Sequence, residues 1–383
     1  MRKALIISLC CLLLASCVEQ KQLERLGLIT AIGYDIPDKS NPTIRGTVVM
    51  LNFSPELSNF TNVITQDGVT SKGIRRALNQ ESSHQVVSGQ LRVAVYGREM
   101  AENGIRSIVD SFTRDASIGN MLYLVIAEGS AEELIKFKKG TLTYNFGTHL
   151  YNLIQQNVKD EQFPSPTLQD FINTYDNPGR DPILPIMGID EDRIGLKEIG
   201  LLKGDRLVGT LSNKELFYLL IMMKGFGSAS FDIDVPYDKI SGQLYHSKAH
   251  KTAEEFRQGS VFVTVDNVST KQKIKLVKKE PPTFKIDIKI KTRVLEVTDN
   301  IDFMQEKTFD ILKEISNKQL EDGIRRNIAY LQEIESDPIG FGSIYQTKER
   351  KKELSQDEWV SIFKRATFDI NVDTEFVRTG VTD

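Results

Sequence analysis

Cysteine is scarce, and the three cysteines of the 383-residue chain all lie near its N-terminus. They are Cys10, Cys11 and Cys17, so the sequence beyond residue 17 contains no thiol. Without thiols, that part of the chain has no structural disulfide, no thiolate ligand for a metal and no cysteine nucleophile. Its stability must therefore come from packing alone.

The chain also lacks recognisable catalytic motifs. It contains no G-x-S-x-G nucleophile elbow, no G-x-x-x-x-G-K-[ST] phosphate loop and no H-E-x-x-H zinc motif. Gly225 and Gly227 begin like a dinucleotide-binding loop, but Ser230 stands where the third glycine is needed, and the segment follows a predicted helix rather than a strand. We therefore expect no enzymatic activity, no cofactor and no small-molecule substrate.

Histidine is rare too, with four residues in the chain. His246 and His250 are spaced to share one face of a helix, and Glu254 follows one turn further on. The other two, His84 and His149, lie in separate parts of the sequence. Because a zinc site needs three or four ligands, we predict a solvated turn around His246 and no metal site.

Positive charge is not in excess, since 49 Lys and Arg against 52 Asp and Glu give a formal charge of −3. The short basic clusters Lys271–Lys273 and Lys348–Lys352 are predicted to be solvated faces. The balance argues against nucleic acid, and against anionic lipid as a bulk electrostatic partner.

The N-terminus has the pattern of a bacterial lipoprotein signal. Arg2 and Lys3 give a positive start, Ala4–Leu13 is apolar, and Leu14-Ala15-Ser16-Cys17 places two small residues before a cysteine. We predict a signal peptide at 1–16 and a diacylglyceryl group on Cys17. The alternatives are a transmembrane anchor, which needs about 20 apolar residues, and a secretion signal cut nearby. The rest of the sequence has no apolar run long enough to span a membrane, and Leu216–Met223 is predicted to be a buried helix.

The rest of the chain predicts an α+β protein of three mixed α/β domains, each with a small sheet and covering helices. Several domains are expected because the chain is too long to fold around a single hydrophobic core. The predicted domains are 17–190, 191–280 and 281–383. The first boundary follows a stretch with five of the twelve prolines, and the second falls at a Lys-Lys-Glu-Pro-Pro sequence.

Several elements are predicted from local patterns. Leu26–Asp35 is typical of a buried strand, and Phe284 to Ile290 alternates apolar with charged residues, as in a strand with one face in water. Ser130, Ser212 and Ser355 each precede a glutamate by three residues and predict helix starts. Apolar residues from Ile301 to Ile334 predict a long helix that Gly323 could bend or split.

With these features in place, the sequence resembles the Ger(x)C lipoprotein family, the C subunits of spore germinant receptors, over essentially its full length. The most specific block is Asp337-Pro338-Ile339-Gly340-Phe341-Gly342 after a long helix, followed by the helix around Trp359 and a final strand. One departure is that relatives often have Trp-x-x-x-Phe-Pro where this chain has Phe363 to Phe368.

The resemblance implies three α+β domains on the outer face of the spore inner membrane, beside an A subunit and a permease-like B subunit, with no enzymatic role. Two other classes remain open. A solute-binding lipoprotein of a transporter would show two similar lobes, and a lipid-anchored hydrolase would need a nucleophile and base that the sequence does not reveal.

We place the expected partner surface on the C-terminal domain. Its candidate residues are Glu321 and Arg325 on the long helix, and Gly340, Phe341 and Gly342 in the loop after it. In the alternative interpretation, the two glycines only permit a tight turn and Trp359 fills the core of the domain.

Overall fold

The computed structural model describes residues 25–38, 40, 43–52, 61–137, 145–223, 230–244, 259–349 and 354–377. The predicted signal peptide, Cys17, the Gly225 segment and the His246–His250 pair lie outside this part of the chain. No helix within it is long and apolar enough to cross a membrane.

The described residues contain strands from Leu26 to Phe376 and helices from Ser71 to Phe363. The strands are β1 (Leu26–Asp35), β2 (Ile44–Asn52), β3 (Thr61–Gly68), β4 (Gln85–Val87), β5 (Val93–Tyr96), β6 (Tyr123–Ala127), β7 (Ile183–Asp190), β8 (Arg193–Lys203), β9 (Arg206–Leu211), β10 (Ser230–Pro236), β11 (Ser260–Lys279), β12 (Pro282–Val297) and β13 (Thr367–Phe376). The helices are α1 (Ser71–Glu81), α2 (Arg98–Asn103), α3 (Arg106–Thr113), α4 (Ala131–Lys136), α5 (Phe146–Lys159), α6 (Leu168–Tyr175), α7 (Asn213–Leu220), α8 (Tyr237–Ile240), α9 (Glu306–Glu333), α10 (Phe341–Glu349) and α11 (Gln356–Phe363).

The larger sheet has nine strands in the described residues, in the order β3-β2-β1-β5-β6-β7-β8-β9, and β4 pairs beside the first residues of β1. Strands β1, β5, β6 and β7 run parallel to one another, whereas β2, β3, β8 and β9 pair antiparallel. Helices α1, α2, α3 and α6 cover one face. Because β1 is buried on both faces, it is apolar along its length, as its sequence predicts.

Within the described ranges, the smaller sheet has four strands, β10-β11-β12-β13, and packs with α9 against the other face of the larger sheet. Strand β12 alternates as predicted: Phe284, Ile286, Ile288 and Ile290 are fully buried, while the intervening charged residues are not. One apolar cluster joins the two sheets, since it contains residues of β7 and β8 together with residues of β12 and α9.

The prediction of three small sheets is wrong for the described residues, which form two. Strands β8 and β9 of the predicted middle domain belong to the larger sheet, and β10 and β11 belong to the smaller one. The boundaries near residues 190 and 280 fall in the turns of the β7-β8 and β11-β12 hairpins. Hairpin turns and domain linkers have similar local composition, so the sequence alone does not separate them.

The long helix is confirmed, although it begins at Glu306, because Ile301 pairs with Leu244 instead. Its 28 residues run through Gly323 without a break. A Cβ at Gly323 would lie 2.3 Å from the ring of Tyr218, so this glycine permits close packing of α9 on α7. The capping boxes at Ser212 and Ser355 are present with both hydrogen bonds.

Helix α9 also completes the edges of the smaller sheet. On β13, the N–H groups of Val372 and Thr374 donate to Glu321 Oε1 and Asn317 Oδ1 at 3.0 and 2.8 Å. On β10, Gln319 accepts from Asp234 N–H at 3.0 Å and donates to the Asp232 carbonyl at 2.7 Å. These side chains satisfy edge groups that would otherwise be open to another strand.

Candidate functional site at the Asp181–Asp337 junction

The residues 336–342 after α9 dock onto the larger sheet. The Ser336 hydroxyl donates to the carbonyl of Leu202 in β8 at 2.6 Å. Just before it, Glu335 pairs with Lys203 and Lys364, and these two partners lower its pKa to about 2. The end of α9 is thus fixed between β8 and the C-terminal helix.

Asp337 lies at the centre of this junction and is 1% exposed. Its Oδ1 accepts from Gly340 N–H at 2.8 Å, and its Oδ2 accepts from Gly342 N–H at 2.9 Å and from the indole N–H of Trp359 at 3.1 Å. One carboxyl group therefore shapes the 337–342 turn and fixes the position of α11.

Asp181, two residues before β7, is the partner of Asp337 on the side of the larger sheet. The two residues exchange hydrogen bonds: Asp337 N–H donates to Asp181 Oδ2 at 2.8 Å, and Asp181 N–H donates to the Asp337 carbonyl at 2.9 Å. Asp181 Oδ1 also accepts from Gly204 N–H in the β8-β9 turn and from the Gln356 amide of α11, both at 2.8 Å. Four segments that are distant in sequence converge on these two carboxyl groups.

Glycines allow the backbones to meet at this point. A Cβ at Gly179 would lie 2.3 Å from Ser343 N, and a Cβ at Gly342 would lie 2.5 Å from the Cα of Gly179. Gly340 has a φ of +89°, which residues with a side chain rarely adopt. Each of the three positions therefore requires glycine for a steric reason.

Burial dominates the electrostatics of the junction. It raises the pKa of Asp337 to about 7 against the opposing effect of the Gly342 and Gly340 hydrogen bonds, and the charge of Asp181 raises it further. Burial also raises the pKa of Asp181. Since N–H groups of the protein surround these carboxyl oxygens, the arrangement is suited to holding two parts of the fold together.

The structure corrects part of the predicted partner surface. Phe341 is fully buried against Phe284 and Phe363, and Gly340 and Gly342 are buried as well, so these three residues lie in the interior. Glu321 is half-buried and accepts the β13 hydrogen bond described above. Of the five candidates, Arg325 alone is exposed.

The alternative interpretation of the loop therefore agrees with the structure: the glycines permit a turn, and Trp359, 2% exposed, fills the core. Sequence reasoning missed Asp181, although one signal was available. It begins an Asp-Pro dipeptide, Asp181-Pro182, as Asp337 does with Pro338. Of the histidines, His84 and His149 are described, and no group of three or more metal-binding side chains occurs within the described residues.

A cleft of about 500 Å³ lies at the carboxyl ends of β1 and β6, near the point in the larger sheet where α/β proteins commonly bind ligands. The carboxylate of Asp35 occupies the start of α4, where it accepts from the N–H groups of Ala131 and Glu132, both at 2.8 Å. A Cβ at Gly97 would lie 2.0 Å from Asp35 Oδ1. The chain's own carboxylate thus takes the place that an anionic ligand would use.

Comparison with known proteins places both parts of the chain in one family. The model described as spore germination protein N-terminal domain matches residues 19–189, and the model described as spore germination B3/GerAC like, C-terminal, matches residues 197–380. Spore germination protein GerQC of Bacillus cereus is 22% identical over 384 residues, which is 100% of both chains.

Two further relatives agree. YfkR of Bacillus subtilis (strain 168), assigned provisionally to spore germination, is 19% identical over 327 residues, covering 79% of this chain and 74% of YfkR. The crystal structure of the GerBC protein matches with a TM-score of 0.51 at 19% identity, covering 91% of this chain and 97% of that one, so the fold is shared. The chain therefore belongs to the Ger(x)C family of spore germination proteins.

Proposed function

We propose that this protein is the lipid-anchored C subunit of a nutrient germinant receptor, held on the outer face of the spore inner membrane and required for assembly with the A subunit and the permease-like B subunit. The observation that carries the proposal is the match of both germination-family models, one after the other, along a single chain. A lipobox at Leu14–Cys17 precedes both.

The junction gives this role a physical basis. The Asp181–Asp337 hydrogen bonds join the region matched by the N-terminal model to the region matched by the C-terminal model. A subunit built in this way presents its two parts to its partners in a fixed relation. In this proposal, nutrient recognition lies mainly with the A and B subunits.

The anchor is tested by fatty-acid labelling. We expect the parent chain and Cys11→Ala to incorporate labelled palmitate and to be processed, because the lipobox is intact in both. We expect Cys17→Ala to incorporate none, since the acceptor sulfur is gone. Equal labelling of Cys17→Ala and the parent would refute the anchor. Cys11 is a matched control because it lies in the same N-terminal segment.

The solute-binding alternative is weakened by the two sheets of the described residues, which have nine and four strands and so do not form two similar lobes. For a receptor C subunit, calorimetry with amino acids, sugars and nucleosides should show no saturable heat. Specific micromolar binding of one of them would favour the solute-binding alternative.

A further inference from the structure

An open cleft of about 600 Å³ lies between α1, β4 and the start of β1. Its apolar lining comes from Leu26, Leu28, Val86 and Val87. These residues are adjacent because β4 pairs parallel with β1 at this point, Gly27 with Val86 and Leu28 with Val87. The leucines and valines are only half-buried, so an apolar floor remains accessible.

Helix α1 supplies three cations to the same cleft: Lys72, Arg75 and Arg76. Their spacing of three and four residues places them on one side of the helix. Lys72 and Arg76 are exposed and make no ion pair with any described residue. The lining contains one carboxylate, Asp115, so the cleft is positive although the chain as a whole is negative.

Arg75 is held in a fixed position at the inner wall. It is 8% exposed, and its Nη1 donates to Asp115 Oδ2 at 2.9 Å and to the Ser88 hydroxyl at 3.3 Å. Its Nε is buried and has no hydrogen-bond partner among the described residues. The two hydrogen bonds use Nη1 only, so the donors on Nη2, which no other described residue accepts from, remain for a ligand in the cleft.

The cleft also lies where the chain leaves the membrane, if Cys17 carries the proposed lipid. The described part begins at Arg25, directly before Leu26 of the cleft floor. Seven residues lie between Cys17 and Arg25, and the eight Cα–Cα steps from one to the other span at most about 30 Å when fully extended. The cleft must therefore stay close to the lipid surface.

We propose that this cleft binds the phosphate headgroup of an anionic phospholipid, with Lys72, Arg75 and Arg76 contacting the phosphate and the apolar floor receiving the glycerol and first methylene groups. Arginine matches phosphate geometry and lysine adds a point charge. The inference rests on the proposed anchor for its location. A local cationic cleft of this kind is compatible with a net negative chain, because salt screens exposed charges beyond about 8 Å at physiological ionic strength.

The test uses the full-length chain carrying Cys17→Ala, which lacks acyl groups, and compares its binding to vesicles of phosphatidylcholine with its binding to vesicles that also contain phosphatidylglycerol. The test pair is Lys72→Gln with Arg76→Gln. The matched control is Lys271→Gln with Lys273→Gln, which removes the same charge from exposed lysines of β11. Any contribution of the apolar segment 4–13 is the same in all variants.

We expect the parent to prefer the anionic vesicles and the test pair to weaken that binding about 30-fold, since each basic residue near the surface contributes about one kcal/mol. The control pair should change it little. Equal losses from both pairs, or no loss from either, would overturn the proposal.

Two further arms identify the source of the anion. Glycerol 3-phosphate without vesicles should give no saturable heat; if it binds through Lys72 and Arg76, the ligand is a soluble phosphate. Poly-glutamate should not displace the anionic vesicles more effectively than salt of equal ionic strength; if it does, the cleft serves an acidic protein segment. Either result would overturn the lipid assignment. Because these measurements need neither acylation nor the receptor, their failure would leave the proposed subunit role standing.

Discussion

Replacing Asp337 with alanine removes the group on which the junction depends. Three N–H donors, from Gly340, Gly342 and Trp359, would lose their acceptor in a site with no access to water. An unsatisfied buried donor costs about 1–3 kcal/mol. Removing a buried ionisable group offsets part of this loss, so we expect the unfolding free energy to fall by about 3–5 kcal/mol.

Trp359 is an intrinsic fluorescence probe of the junction, because it is the single tryptophan of the chain and its indole N–H donates to Asp337. Tryptophan fluorescence during urea unfolding therefore reports on the junction itself. Asp322→Ala is the matched control, since Asp322 is an exposed aspartate of α9 and its replacement should change stability by no more than about 0.5 kcal/mol.

If Asp337→Ala unfolds within about 1 kcal/mol of the parent and keeps its emission maximum, the three donors do not depend on the carboxyl group. The interpretation of the junction as the link between the two parts of the chain would then be wrong.

Further predictions concern the pH dependence of stability, a glycine of the junction and two charged residues of α9. Burial raises the pKa of Asp337 from 3.8 to about 7, so between these values the folded chain keeps a proton that the unfolded chain releases. The contribution of this proton to the free energy of unfolding is therefore fully present below pH 3.8 and is lost as pH rises through about 7. The urea midpoint of the parent should fall between pH 5 and 8, and that of Asp337→Ala should not. Gly342→Ala should lower the melting temperature by several degrees, whereas Gly195→Ala, with nothing within 4 Å of the added Cβ, should leave it nearly unchanged, and equal melting temperatures would contradict the steric argument. Arg325→Glu should reduce receptor assembly without changing the melting temperature, because Arg325 is exposed. Glu321→Lys should lower the melting temperature, because it removes the acceptor of the Val372 N–H hydrogen bond on β13. Unaltered assembly in Arg325→Glu would remove this position from the partner surface.

The elements predicted correctly from sequence are those that local patterns determine. Strand β12 follows from strict alternation, and the starts of α7 and α11 follow from capping boxes that are complete within four residues. Alternation reflects the two-residue period of a strand, and a capping box reflects two hydrogen bonds at a helix start, so both can be recognised from a few neighbouring residues.

The grouping of strands into sheets could not be predicted in the same way. Strand β8 pairs with β7 across a boundary that has the composition of a linker, and nothing local distinguishes the two cases. The burial of Phe341 also depends on distant residues, since the turn that buries it begins at Asp337, whose N–H donates to Asp181, 156 residues before Asp337 in the chain. Glu321 looked free because helical spacing says nothing about the edge strand that it contacts.

The most direct measurement of the central claim is affinity purification of the tagged protein, with its N-terminal signal and anchor intact, from spore membranes in mild detergent. A receptor C subunit should bring down a permease-like membrane protein, and the yield of that protein should fall with Arg325→Glu but not with Asp322→Asn, an exposed position on the same helix. Recovery of the tagged protein with no permease-like partner, under conditions that keep the anchor in the membrane, would contradict the assignment.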